Sequence, residues 1–237
     1  MADSVSLVAR YCYATFSGSA SLSGNTVTYR AGVTASQGGG GDVNSFIAKA
    51  AGTTLASGSI AWGGSKSGSA NIGSATCHPG QTVSTSVSCS LWSRHQQGDS
   101  GETKYGSFTI SYTRAKAVIT LDPGSGSGGT ASVECTYGEA MPAITIPERS
   151  GYAFMGYFSG EGGAGTKYYN EDGSSAANAD FDADTTLHAY WEAMSILHVA
   201  DGGETKTVTN IQVVENGTVR KIIGCYSVED GVVRQGV

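Results

Sequence analysis

The chemistry-bearing side chains of this 237-residue chain are few and scattered. His78, His95, His188 and His198 lie in four different segments, and none stands at an HxxH, HExxH or Cys/His spacing that would hold zinc. Asp180, Asp182 and Asp184 alternate, so an extended backbone places them on one side, where three carboxylates attract Ca²⁺. The glycine and glutamate of an EF-hand loop are missing at the required spacing, and a solvated acidic turn accounts for the trio more simply. Serines abound, but no G-x-S-x-G raises one above the others. Glu139, Glu148 and Glu161 are isolated carboxylates, and the glycine runs lack the G-K-[ST] and the following helix of a phosphate-cradling loop. No catalytic residue, metal centre or cofactor is assigned. Among the aromatics, Tyr168 and Tyr169 fall in a polar stretch, where exposure would make them rigid amphipathic contacts for a glycan or a protein; packing within the loop is the competing role.

The elements that carry these residues read as strands almost throughout, giving an all-β fold class. Val5, Leu7, Ala9, Tyr11 and Tyr13 alternate with Ser6, Val8, Arg10 and Cys12; Val83 to Leu91 alternate with serines, and Phe108 to Tyr112 with Thr109 and Ser111. Glycine/serine stretches at 37–41, 63–68 and 98–101 separate these runs as turns and loops. Short strands joined in this way predict a β-sandwich over 1–116. The single helix-like cluster is Phe46, Ile47, Ala48, Ala50 and Ala51, from which one short helical turn is expected.

Composition narrows the function. Thirty-five glycines are about twice average usage, and charged residues make up 14% against about 25% in an ordinary globular chain. The surface must therefore be mostly Ser, Thr, Gly and Asn, which suits close packing better than electrostatic steering. Residues 1–116 hold eight Lys/Arg against four Asp/Glu, a balance of +4; residues 117–237 hold six against sixteen, a balance of −10. The break in charge marks a domain boundary near Ala117. No Lys/Arg run is present to neutralise a phosphate backbone, so nucleic acid is not an expected partner. No apolar run reaches membrane-spanning length, and no signal-peptide pattern follows Met1. Cys12, Cys77, Cys89, Cys135 and Cys225 form no CxxC pair and read as free buried thiols of a chain folded in a reducing compartment, with a Cys77–Cys89 disulfide as the alternative.

The second segment, 117–193, opens with a strand at 118–121, turns through Asp122-Pro123-Gly124 and the glycines up to Gly129, and returns at 131–137. Tyr137-Gly138-Glu139, Pro147, Arg149, Gly151-Tyr152, Phe154, Gly156-Tyr157 and the closing Thr186-Leu187-His188-Ala189-Tyr190-Trp191 follow in order. This series resembles the Listeria–Bacteroides repeat, the module of internalin B-repeat regions. The departures are Tyr157, where the family usually has Trp, and Pro123 in the first hairpin. The resemblance implies a β-grasp-like fold, burial of Tyr152, Phe154 and Trp191, a structural strand position for His188, and a spacer or adhesive role without catalytic residues in bacterial surface and phage proteins.

The third segment, 194–237, contains an internal repeat. Residues 214–221, VENGTVRK, recur fourteen residues later as VEDGVVRQ at 228–235. Asn216-Gly217 and Asp230-Gly231 between hydrophobic residues are strong type I′ hairpin signals, so two consecutive β-hairpins are expected. Isolated hairpins are marginal in water and must pack on something, which makes them candidate assembly elements. They resemble the ends of many phage tail and tail-fibre proteins, and the N-terminal Ser/Gly-rich region is similar to β-domains of phage minor tail proteins.

Together these features point to a non-enzymatic, homo-oligomeric structural protein of a bacteriophage virion, placed in the tail (tip, baseplate or fibre) and acting in assembly or host attachment. Its expected partners are other virion proteins and a host-surface glycan or protein, with no membrane insertion. A bacterial cell-surface adhesin module is the alternative, and a polysaccharide-degrading enzyme comes after it.

Overall fold

The computed structural model of the chain describes residues 4–39, 43–95 and 99–194, and in the C-terminal segment 198–201, 204–207, 213–215, 218–220, 226–229 and 232–235. The fold is all-β, with no α-helix among the described residues. Among the described residues no helix is long and apolar enough to cross a membrane. The backbone clusters into two compact units, one of residues 1–149 and 154–191, the other of 150–153 and 192–237.

The first unit begins with a sandwich of two antiparallel sheets. One has the order β1 (Ser4–Ala9), β2 (Cys12–Ser23), β3 (Thr26–Gln37), β6 (Ser65–Thr76); the other runs β5 (Thr53–Ile60), β4 (Val43–Ala50), β7 (Thr82–Arg94), β8 (Glu102–Thr113). Period-two alternation sends Cys12, Ala14 and Phe16, Val27 to Ala35, Val87 to Leu91, and Phe108 and Ile110 into one shared core. The helical turn expected at 46–51 is not formed. Phe46, Ala48 and Ala50 are buried while Ile47 and Lys49 face outward, the alternation of a strand, because β4 is paired on both sides, by β5 and by β7. A run dominated by small apolar residues satisfies either period, and the neighbouring strands decide it.

Sheet edges meet at both corners: β1 lies against β8, and β5 against β6. At the second corner a Cβ on Gly68 would fall onto the carbonyl oxygen of Leu55, so the approach of β6 to β5 excludes any side chain there. The fully buried Ser93 hydroxyl donates to the Ala9 carbonyl at 2.5 Å, tying β7 of one sheet to the end of β1 in the other. Cys12, Cys77, Cys89 and Cys135 are buried free thiols, so Cys77 and Cys89 do not pair, and burial pushes Cys12 and Cys89 up to about 11.

Residues 117–193 form a second core around a five-stranded sheet. Its order is β10 (Ser132–Cys135), β9 (Ala117–Asp122), β13 (Thr185–Ala193), β11 (Tyr152–Phe158), β12 (Lys167–Tyr169). The first and last strands are central and parallel, Ile119 opposite Thr185 and Leu121 opposite Leu187. This is a β-grasp-like arrangement of strands, without a helix across it. Ile119, Leu121 and Leu187 fill the centre, and an aromatic chain runs Trp191–Phe154–Tyr157–Tyr169 with ring centroids 5.5, 5.2 and 6.1 Å apart, all edge to face. Trp191 donates from Nε1 to the Pro123 carbonyl at 3.0 Å, so the proline in the first hairpin is bound into the same core.

In the C-terminal segment three hairpins are formed, where two were expected: β14 (His198–Asp201) with β15 (Glu204–Thr207), β16 (Val213–Glu215) with β17 (Thr218–Arg220), and β18 (Tyr226–Glu229) with β19 (Val232–Gln235). Asn216, Gly217, Asp230 and Gly231 lie outside the described residues, but the registers Glu215↔Thr218 and Glu229↔Val232 close across those two pairs. The additional hairpin closes Asp201↔Glu204 in the same way. All three turns have an acid on their first flank, but the second flank is Glu204 here and Thr218 or Val232 in the other two, and this hid its kinship.

The phenol oxygens of Tyr157 and Tyr169 are buried without a hydrogen-bond partner, and desolvation pushes Tyr157 up to about 12 and Tyr169 up as well. Removing such a hydroxyl removes a desolvation cost of about 1–3 kcal/mol. Tyr169→Phe is therefore expected to leave stability unchanged or to raise it in urea unfolding at pH 7. Both phenols stay protonated in the folded chain above pH 10, where unfolded tyrosine ionises, so wild-type stability falls as pH rises from about 10. Tyr169→Phe should flatten that fall.

Candidate interaction surfaces

Tyr168 and Tyr169 are 4% and 0% exposed, which corrects their assignment as accessible contacts. Both lie on β12, paired against β11, and period two cannot separate them because the stretch folds in on both sides. Tyr168 stacks at a tilt on Phe181, 4.6 Å between centroids, and donates to Asp180 at 2.5 Å. Burial and the Asp180 carboxylate together push the Tyr168 phenol up to about 12.

The three alternating aspartates do not converge. Asp180 accepts from the Tyr168 hydroxyl, Asp182 pairs with His78, and Asp184 accepts from the Val118 backbone N–H at 2.8 Å. Among the described residues no group of three or more His, Cys, Asp or Glu is placed to hold a metal ion. The aspartates instead fasten a loop, and one of them fastens it to the sandwich.

That fastening is the best-connected polar cluster of the first unit. The His78 ring nitrogen Nδ1 lies 2.6 Å from the Asp182 carboxylate, and the imidazole stacks on Tyr137 at 3.9 Å. Arg114, at the end of β8, donates to Asn25 Oδ1 at 2.7 Å, to the Cys77 carbonyl at 2.9 Å and to the Asp182 carbonyl at 2.6 Å. One guanidinium thus joins the β2–β3 turn, the β6–β7 turn and the 180–184 loop, which its planar fork of donors suits. Beside it is a hollow of about 300 Å³ lined by residues including Leu22, Tyr112, Arg114, Lys116, Asp182 and Asp184. The hydrogen bond from His78, then one from Asn25, holds the Asp182 carboxyl below its usual range. These contacts describe a clasp that joins two turns of the sandwich to the 180–184 loop.

The opposite end of the sandwich is different. The described loops β1–β2 and β5–β6, with the adjoining strand ends, expose Tyr11, Tyr13, Trp62 and Tyr105, at 44%, 45%, 72% and 78%. None of the four stands out in the sequence as a contact residue. Tyr13 and Tyr105 sit in alternating strands where only the register shows which face is outward. His188 is half-buried on β13, with Nδ1 3.4 Å from an Asp122 carboxylate oxygen. No protein-family model matches the chain, and no curated protein matches it.

Asp182 binds its proton less readily folded than unfolded, so its contribution is complete above the unfolded value near 3.9 and is lost as pH falls through the lower folded one. Asp182→Asn is expected to lower the melting temperature slightly at pH 7. The gap to wild type should narrow as pH falls below the unfolded value, measured by thermal melts at stepped pH.

Proposed function

We propose that this chain is a non-catalytic structural protein of a bacteriophage particle, located in the tail as part of the tip, baseplate or fibre. It acts in assembly, in attachment to the host surface, or in both. The carrying observation is the hairpin array: corresponding residues Asp201, Glu215 and Glu229, and Lys206, Arg220 and Arg234, recur at a fixed period of fourteen. A two-stranded ribbon is marginal alone in water. A periodic set of them gains most from a surface with the same period, and a second copy of the chain provides one. The four buried free thiols support folding in a reducing compartment before release of the particle, as expected of a virion protein rather than an exported adhesin. Its partners in this reading are copies of itself and other virion proteins.

Deletion of residues 194–237 is expected to turn an oligomer into a monomer, read as molar mass by light scattering, with the melting transition of the remaining two cores retained. An unchanged mass removes the assembly role. Location is tested separately: mass spectrometry of particles purified from a lysate that carries the gene should find peptides of this chain at structural-protein abundance, and their absence there would leave the adhesin reading in its place.

A further inference from the structure

The outward face of the β5-β4-β7-β8 sheet carries chemistry that neither core uses. Its cross-strand ranks are Ile47 opposite Trp92 opposite Thr103, then Lys49 opposite Ser90 opposite Tyr105. Arg94 follows Trp92 on the same face. Tyr105 is 78% exposed and Ile47 37%, and Trp92 is half-buried. Trp92 and Tyr105 are diagonal neighbours, about 7–8 Å apart at the backbone. The indole is seated over Gly101, where φ is +75° and a Cβ would stand 2.6 Å from Nε1, so only glycine leaves the ring its place. Beyond the aromatic pair the same face continues as ranks of exposed hydroxyls: Ser88 with Ser107, Ser86 with Thr109, Ser84 with Ser111, and Thr82 with Thr113.

Among the described residues, the strands of this face carry outward charge of one sign, and Asp99 in the β7–β8 connection is paired with Arg10 at 3.1 Å. β4, β5 and β7 contain no Asp or Glu. Glu102, the one acid in β8, shares its alternation with the buried Phe108 and Ile110 and is engaged by the Arg10 N–H at 2.9 Å and by Lys104 at 2.7 Å. Lys49 and Arg94 form no ion pair among the described residues, and Arg94 Nε is a buried donor without a partner.

We propose that this face binds an acidic polysaccharide. Sugar rings lay their C–H faces on Tyr105 and Trp92, their carboxylate or phosphate groups pair with Lys49 and Arg94, and their hydroxyls bond to the Ser and Thr ranks. A protein partner would call for a contiguous apolar centre around the aromatics, whereas here serine, threonine and lysine surround them and Ile47 is the one aliphatic neighbour in their ranks among the described residues. Single-stranded nucleic acid also stacks on aromatics, but it needs a cationic groove along its backbone, and beyond Lys49 and Arg94 the ranks are uncharged. The proposal rests on the attachment role of the preceding subsection and names what attachment would recognise.

The test is titration calorimetry of the full-length chain with oligogalacturonate, its methyl ester, hyaluronate, a glycerol-phosphate polymer and a thymidine oligonucleotide. At least one acidic chain is expected to bind, more weakly as salt rises, and esterified galacturonate should bind about tenfold or more weakly than any free acid that binds. Tyr105→Ala, on an exposed ring, and Lys49→Ala should each weaken binding about tenfold while melting temperatures stay unchanged. Binding of none of the acidic chains, binding indifferent to both substitutions, or tighter binding of the oligonucleotide would each overturn the proposal. None of these outcomes bears on whether the chain is found in particles, which the mass spectrometry decides by itself.

Discussion

Burial of every second residue between two sheets is the interaction on which the first 113 residues depend. With sheets about 10 Å apart, each strand commits one row of side chains to the interior and leaves the other row outside. The interior rows combine Phe16, Phe46 and Phe108 with small residues such as Ala14, Ala31, Ala48 and Ala50, so large and small side chains share one core. The outer rows, freed from packing, are the serines and threonines that give the chain its low charge. A shift of one residue in any register would exchange these rows and put hydroxyls in the core, so the polar faces themselves reinforce the pairing.

The second core obeys a different constraint. Its central strands are parallel, β9 burying Ala117, Ile119 and Leu121 and turning Val118 and Thr120 outward, and its aromatics interlock edge to face, ending in the Trp191 bond to Pro123. This packing tolerates polar inconsistency, since two phenol oxygens are buried without partners. Arg114 and the His78–Asp182 pair then join the loops of one core to the turns of the other. Carboxylates that look like a cation site in the sequence are in fact distributed one by one among a phenol, an imidazole and a backbone N–H.

Much of the strand architecture was legible beforehand: period-two alternation marks the strands of the sandwich, and the repeat of 214–221 at 228–235 with its Asn-Gly and Asp-Gly pairs marks two of the hairpins. Alternation fails where residues are uniformly small, as at 46–51, where strand pairing decides, and where a strand is enclosed on both faces, as at Tyr168-Tyr169. The candidate surfaces were less legible. Ile47 and Lys49, Trp92, and Tyr105 come from three different strands, and only the β4–β7–β8 register assembles them. Asp182 and His78 are likewise remote in sequence, and no local pattern foretells their pairing.

The missing side chain at Gly68 has a consequence for solubility. Long, flat strands rich in serine and glycine invite edge-on polymerisation, because an unpaired strand edge offers backbone donors and acceptors to any similar chain. By letting β6 press against the Leu55 carbonyl, Gly68 helps shield two such edges at once, as the contact of β1 with β8 does at the other corner. The sandwich can thus display extended uncharged faces at high local concentration without growing into fibrils, and ordered association is left to dedicated segments of the chain.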